Sequence, residues 1–269
     1  MKKNPEIFIA YGSDLHLSVG NPERSRQALL FPKSADVIVL AGDIGEITKS
    51  ARVALGLADE YQNTHIIWVA GNHEFYRSNI DEQIRTFREM CSDHKRVHFL
   101  ENESVDVLGL RFIGCTLWTD FSILGSSEVS MAVAAAEIND FICIESQNGS
   151  PFTPQDCAAR YSESYKYLEE QLARSIPEQT VVVTHFPPGL VTRNTNYRID
   201  AVTAYFQANI AHLIERYEPA LWIYGHNHYS RDIQIGNTRI VSNQLGYQSE
   251  EGKIPTYDPK KLVHLGAKR

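Results

Sequence analysis

The stretch VAGNHEFY, residues 69–76, decides how this chain is read. An apolar run stops at Ala70 and gives way at once to a glycine, an asparagine, a histidine and a glutamate. Gly-Asn is ordinary turn chemistry, so one such junction would say little. The same arrangement occurs five times along the chain. IFIAY (7–11) runs into GSDLH, with Asp14 and His16, and DVIVLA (36–41) runs into GDIGE, with Asp43 and Glu46. HIIWVA (65–70) delivers Asn72, His73 and Glu74. TVVVT (180–184) delivers His185, and ALWIY (220–224) delivers His226 and His228. In open α/β sheets ligands collect beyond the carboxyl ends of the strands, so five such ends can converge on one site. Glycines at 12, 42, 71 and 225 suit that arrangement, because a tight turn lets the next side chain point back over the sheet edge.

Two aspartates, one asparagine and four histidines make seven oxygen and imidazole ligands, too many for one ion. One carboxylate can bridge two ions, so the set suits two metals roughly 3.5–4 Å apart. Mixed oxygen and nitrogen ligation points to Mn, Fe, Zn or Co rather than to Ca or an oxygen-bound Mg. Each motif alone is weak, since most Asp-x-His pairs and most glutamates in turns bind nothing. Their order and their common place at strand ends carry the argument. His65, His94, His98, His212 and His264 lack that context and are given no role.

The bulk composition is that of a globular protein, with 43% hydrophobic and 22% charged residues in 269. A formal net charge of −7 argues against a nucleic-acid backbone as the main partner, which usually meets a basic face. Cys91, Cys115, Cys143 and Cys157 are scattered without a Cys-x-x-Cys pair, which suits a reduced, cytoplasmic protein. The N-terminal lysines and short apolar run superficially suggest a signal peptide. That run is too short and reads better as the first strand. No apolar stretch approaches the length of a membrane span.

Further strands are expected at VHFL (97–100), LRFIGCTLW (110–118) and the pair RDIQI and TRIVS, joined by Gly236-Asn237 as a hairpin. Helical periodicity covers about 48–61, 80–92, 128–143, 156–174 and 203–216. Alternation of strands and helices predicts an α/β fold, and no linker or repeat divides the chain, so one domain is expected. The segment at about 119–149 interrupts the alternation and reads as a helical insertion or lid over the cleft. Asp120, Asn139 and Asp140 are its candidate polar contacts with substrate.

The ordered set D-x-H, G-D, G-N-H-[DE], H and G-H-x-H resembles the calcineurin-like metallophosphoesterase superfamily, with every block present from Asp14 to His228. The resemblance implies a four-layer α/β/β/α sandwich with a dimetal centre at the sheet ends. It also implies ligand roles: Asp14, His16 and His228 on one metal, Asn72, His185 and His226 on the other, and Asp43 bridging. His73 would then lie beside the scissile ester. Protein phosphatases of the superfamily carry G-D-x-x-D-R-G, whereas this chain reads GDIGEIT and lacks the arginine. Glu46 takes the place of the second aspartate and is a candidate orienter of His73. TLWTDF (116–121), EINDF (137–141) and SNQLGY (242–247) resemble a bacterial branch of the superfamily, with Trp118 and Phe121 reading as packing residues.

The expected activity is hydrolysis of a small phosphodiester or phosphomonoester by a metal-activated hydroxide, with His73 as leaving-group acid. A DNA or RNA nuclease shares the same blocks, but no basic, aromatic-interleaved stretch accompanies them. A non-catalytic scaffold would be expected to have lost ligands, and none is missing here.

Overall fold

The computed structural model describes residues 6–146 and 149–266. Strands β1 (Glu6–Gly12), β2 (Val37–Ala41), β3 (His65–Val69) and β4 (Val97–Phe99) lie parallel, side by side in that order. A second sheet contains β5 (Glu103–Val107), β6 (Leu110–Cys115), β7 (Thr180–Thr184), β8 (Leu221–Ile223), β9 (Asp232–Ile235) and β10 (Thr238–Val241). Its order is β5-β6-β7-β8-β10-β9, parallel at the centre and antiparallel at both edges. The last strand, β11 (Leu262–Gly266), returns to the first sheet and pairs antiparallel with β1. The helices are α1 (Pro22–Ala28), α2 (Lys49–Glu60), α3 (Ile80–Cys91), α4 (Ser127–Glu137), α5 (Asp140–Cys143), α6 (Pro154–Leu172) and α7 (Ala211–Tyr217).

Strands buried on both faces read as unbroken apolar runs, and the fully buried β2 is one of them. Its Val37, Val39 and Ala41 join Ile7, Ile9 and Tyr11 of β1 against Phe112, Val181, Val183 and Ile223 of the other sheet. Ile38 and Leu40 point the opposite way, with Ile66 and Trp68, onto α2 and α3; Trp68 meets Phe87 edge-on at 5.0 Å. On the far side Ile113, Val182 and Trp222 belong to the cluster holding Leu168 of α6 and Leu213 and Ile214 of α7. The layers are therefore helix, sheet, sheet, helix, as expected. The hairpin turn forms as expected at Gly236, with φ +54° and Ile235 opposite Thr238.

Three differences from the sequence reading have physical causes. The helix expected over 128–143 breaks at Ile138, whose backbone is extended, and the turn that follows directs Asp140 inward to three partners, Asn72 and Tyr205, which are buried, and Tyr76, which is partly so. The helix expected over 203–216 reduces to α7. Before it, Asp200 caps a 3₁₀ turn at Ala201–Ala204, and the chain then passes Pro187 and Pro188, whose carbonyls accept from Ala208 and Ile210 N–H. The sequence does not announce the edge strands β5 and β11 or helix α1: ESVDV lacks an apolar run, LVHLG is broken by His264, and the seven residues PERSRQA are too short and polar to show a helical period. The 119–149 segment supplies Phe141 and Ile144 to the core beside Phe121 and Phe152, so it is packed in rather than laid on top; residues 147 and 148 lie outside the described residues. Trp118 and Phe121 are buried, as their packing role requires.

Gly114 marks how closely the sheets approach. A Cβ there would lie 2.7 Å from Leu100 Cβ and 2.9 Å from Val69 Cγ1. Gly114→Ala is expected to destabilise the fold by about 1–3 kcal/mol through overpacking, measured by urea unfolding.

Candidate active site

Five of the seven expected ligands hold positive φ: Asp14 (55°), His16 (46°), Asp43 (54°), His226 (77°) and His228 (50°). L-residues seldom adopt that region, and where they do the surrounding structure must impose it, most often at functional sites. Here the loops impose it on one another. Asp14 N–H donates to Gly42 O and His16 N–H to Asp43 O, both at 3.0 Å, while Gly225 N–H donates to His185 O at 2.9 Å. His226 N–H donates to Asp14 Oδ1 at 2.9 Å. The glycines serve a purpose beyond turning. Of the four, only Gly42 has positive φ. Gly71 and Gly225 are needed for space: a Cβ would lie 2.6 Å from Asp43 N in the first case and 2.8 Å from Ala41 O in the second.

The carboxylate of Glu74, fully buried, ties two of these loops together. It accepts from the backbone N–H groups of Asp43 (2.9 Å), Ile44 (2.7 Å) and Gly71 (2.7 Å), and from the Ser50 hydroxyl (2.6 Å). Asp43 is thereby presented with one oxygen occupied and one free. Its Oδ1 accepts from His73 N–H at 2.9 Å. Its Oδ2 sits among three imidazoles, 3.5 Å from His185 Nε2, 3.8 Å from His73 Nε2 and 4.0 Å from His16 Nε2.

Two groups of donor atoms flank that oxygen. On one side His16 Nε2 and His228 Nε2 lie 3.0 Å apart, with Asp14 Oδ1 3.5 Å from His228 Nε2. On the other, Asn72 Oδ1 lies 3.1 Å from His185 Nε2 and 3.2 Å from His226 Nδ1. Bonds of about 2.0–2.1 Å to a common ion would put neighbouring donors about 3 Å apart, so both groups fit a cation. Burying so many polar groups is costly unless something charged pairs with them. All seven residues are at most 9% exposed. The donor set therefore suits two metal ions.

The surrounding contacts aim these donors. His185 Nδ1 donates to Ala41 O at 2.8 Å, leaving Nε2 for the site. Asp140 accepts from Asn72 Nδ2 (2.9 Å), Tyr76 Oη (2.8 Å) and Tyr205 Oη, so the Asn72 carbonyl oxygen faces the donors. Glu250 Oε2 lies 2.6 Å from His228 Nδ1 and fixes that ring in the same way. Such outer partners set ring orientation and ligand basicity. Burial keeps His16 and His226 well below the usual imidazole range, neutral as ligands must be. For His185 burial acts in the same direction, but the Asp43 carboxylate prevails and lifts it to about 9. Below that pH an ion must displace the His185 proton, so loading strengthens as pH rises.

The remaining expected residues fall in different places. His73 stacks on Tyr76 at 4.2 Å and shares a 3.1 Å hydrogen bond between its Nε2 and Tyr247 Oη. Glu46 does not orient it: its carboxylate pairs with Arg77 at 3.4 Å and its N–H donates to Ser18. Asn139 lines the cavity in front of the donors. Asp120 instead caps the turn at Ser122, bonding its N–H (3.0 Å) and hydroxyl (2.7 Å), and is absent from the cavity lining. The cavity holds about 430 Å³ and is walled by the Glu137–Asp140 turn and by Arg193, Tyr205 and Tyr247. Sequence reasoning gave no role to Glu250 or Tyr247; the SNQLGY block was the one available hint.

Two mixed sheets with carboxylate, amide and imidazole donors gathered at their shared edge suit a metal-dependent hydrolase. The chain belongs to the calcineurin-like phosphoesterase family, which it matches over residues 9–230. It is 27% identical to an uncharacterized protein of Acanthamoeba polyphaga mimivirus, over 93% of this chain and 95% of that one. It is 26% identical to the acyl-carrier-protein phosphodiesterase PptH of Mycobacterium tuberculosis, over 88% of this chain and 77% of that one. The crystal structure of the Mycobacterium tuberculosis phosphopantetheinyl hydrolase PptH superposes with a TM-score of 0.72, at 22% identity and 98% coverage of both chains. A Thermus thermophilus protein superposes with a TM-score of 0.53 at 14% identity, covering 98% of this chain and 100% of that one. Among the described residues no helix is long and apolar enough to cross a membrane.

Removing an outer partner should weaken one side of the site at a time. Glu250→Gln is expected to lower metal affinity about 10–100-fold on the Asp14, His16 and His228 side. Asp140→Asn should do the same on the Asn72 side, and competitive titration with a chromophoric chelator reads both.

Proposed function

We propose that this protein hydrolyses phosphodiesters of small or extended molecules at a two-metal centre. Asp14, His16 and His228 would hold one ion, Asn72, His185 and His226 the other, with Asp43 Oδ2 between them. When bound, the ions supply positive charge to the phosphate oxygens and an activated water. Mn, Fe, Zn or Co suit this mixture of donors. The observation that carries the reading is the pair of donor groups on either side of Asp43 Oδ2, opening onto one cavity. Likeness to an acyl-carrier-protein phosphodiesterase supports a diester over a monoester. Walls from the Glu137–Asp140 turn and from residues 193–207 favour a slender substrate over duplex nucleic acid or a folded phosphoprotein. Four unpaired cysteines, three of them buried, suit a reducing cytoplasm.

His73 reaches into the cavity with its Nε2 3.8 Å from Asp43 Oδ2, where it can protonate the departing oxygen. Its plane is fixed by stacking on Tyr76, which leaves the ring nitrogens free for the transfer.

Asp43→Asn is expected to abolish turnover of bis-nitrophenyl phosphate by the Mn-loaded protein and to lower metal content together with it. Two tightly held ions in that variant would remove Asp43 from the bridging position. His73→Ala should keep its metals and lose turnover by roughly 10²–10⁴-fold. The loss should shrink for substrates with good leaving groups, and equal losses across substrates would rule out the leaving-group role.

A further inference from the structure

Besides the donors, the cavity is lined by two cations, Arg193 and Arg198, from the connection between β7 and α7, and by apolar side chains that include Ile138, Val202 and Phe206. Arg193 is held in register with the site. Its two chain neighbours both bond Asn227, the residue between His226 and His228. Asn227 Nδ2 donates to Thr192 O at 2.7 Å, and Asn194 Nδ2 donates to Asn227 O at 3.2 Å. Thr192 and Asn227 are buried. The loop bearing Arg193 is thereby stitched to the turn that carries two of the expected ligands.

The protein itself gives these arginines little to bind. Half-buried Arg193 donates through Nη1 alone, to Tyr197 O at 3.4 Å and Asn194 O at 3.5 Å, both at the long limit of a hydrogen bond. Among the described residues its Nε and Nη2 have no protein partner, and the Arg198 side chain has none at all. The carboxylates of the same cavity are engaged elsewhere or stand apart. Asp140 and Glu250 meet Asn72 and His228, and Asp200 accepts from Thr203 N–H at 3.1 Å. Glu137, exposed at the end of α4, forms no ion pair among the described residues. A charge held in a cavity is costly unless something of opposite sign pairs with it. The guanidinium fork matches phosphate and carboxylate oxygens two at a time.

The scissile phosphate does not account for them. Two divalent ions set against the carboxylates of Asp14 and Asp43 would leave the centre cationic, so the single charge of a diester is already met there. We propose that Arg193 and Arg198 form a subsite for a second anionic group, a phosphate or a carboxylate, borne on an apolar arm of the diester. This rests on the reading of the centre as a phosphodiesterase. Ile138, Val202 and Phe206 offer a surface for the stem of that arm. Tyr197 and Ile199, which flank Arg198 in the chain and are 66% and 51% exposed, add apolar surface beside the cation. The substrate class is accordingly an amphiphilic dianion: one phosphodiester, a slender apolar spacer and an anionic end.

The test uses the Mn-loaded full chain and para-nitrophenyl phosphodiesters of linear alkanols of graded length, ending in a methyl, a carboxylate or a phosphate. At the best length the wild type should favour an anionic end over a methyl end by about 10–100-fold in kcat/KM, the worth of hydrogen bonds to a charged group. Comparison of the two anionic ends tells which kind of anion the subsite takes. The preference should collapse in the double variant Arg193→Gln, Arg198→Gln, and it should shrink with added salt, chiefly through KM. Arg193→Lys, which keeps the charge and loses the fork, should retain part of it. Equal kcat/KM for charged and methyl ends at every length in the wild type overturns the proposal. So does an equal loss on both kinds of end in Arg193→Lys and in the double variant at full metal content, which would put the arginines on the scissile phosphate instead. If the wild type hydrolyses none of these diesters, the phosphodiesterase reading falls. Calorimetric titration of the same protein with the free hydroxyalkyl carboxylate then decides the subsite. Binding that the double variant loses upholds it, and no binding, or binding unchanged in that variant, removes it.

Discussion

The carboxylate of Glu74 is the interaction on which the rest of the site depends. Strands β2 and β3 end side by side, and each must turn sharply while leaving backbone N–H groups without partners. One buried carboxylate accepts from four of them at once and from a serine hydroxyl on α2. Hydrogen bonds to an ionised acceptor are the stronger kind, which is what a loop held at positive φ requires. With the Gly42–Asp43 and Gly71–Asn72 turns locked together, Asp43 can offer one oxygen to the backbone of His73 and the other to the cavity. A protein of this design spends one acidic residue on geometry so that another can do chemistry.

The seven expected ligands illustrate how much of the site was legible before any coordinates. Asp14, His16, Asp43, Asn72, His185, His226 and His228 stand where apolar strands stop, and the fold brings all seven together. That pattern is local in sequence and could be read directly. The contacts around them are of another kind. Glu250 meets His228 from 22 residues away, and Tyr247 meets His73 from 174. Nothing in the neighbourhood of either residue announces its target, because the contact exists only after the last loop has folded back over the first. Glu46 failed as an orienter for the converse reason: it was placed by analogy of position, and the exposed Arg77 beside it claims its carboxylate.

The segment between β6 and α6 shows the same division. Its small-residue helix was visible, but the break at Ile138 was not, since propensity over AVAAAEINDF favours continuing the helix. Tertiary demand ends it. Asp140 is 1% exposed and receives hydrogen bonds from Asn72, Tyr76 and Tyr205, and a straight helix would not deliver that carboxylate to all three. What looked like an appendage is a strut of the active site on one side and part of the core on the other.

The two donor groups draw on both sheets. Asp14, His16, Asp43 and Asn72 follow strands of the first, whereas His185, His226 and His228 follow strands of the second. Each ion would therefore rivet one sheet to the other, adding its binding free energy to the seam already filled by Val39, Val69, Val183 and Ile223. During synthesis neither ion could be captured until β8 has emerged and docked, since His226 and His228 lie just beyond it. On that ligand assignment the chain would be inert while incomplete, and metal supply would bear on how long the finished chain persists.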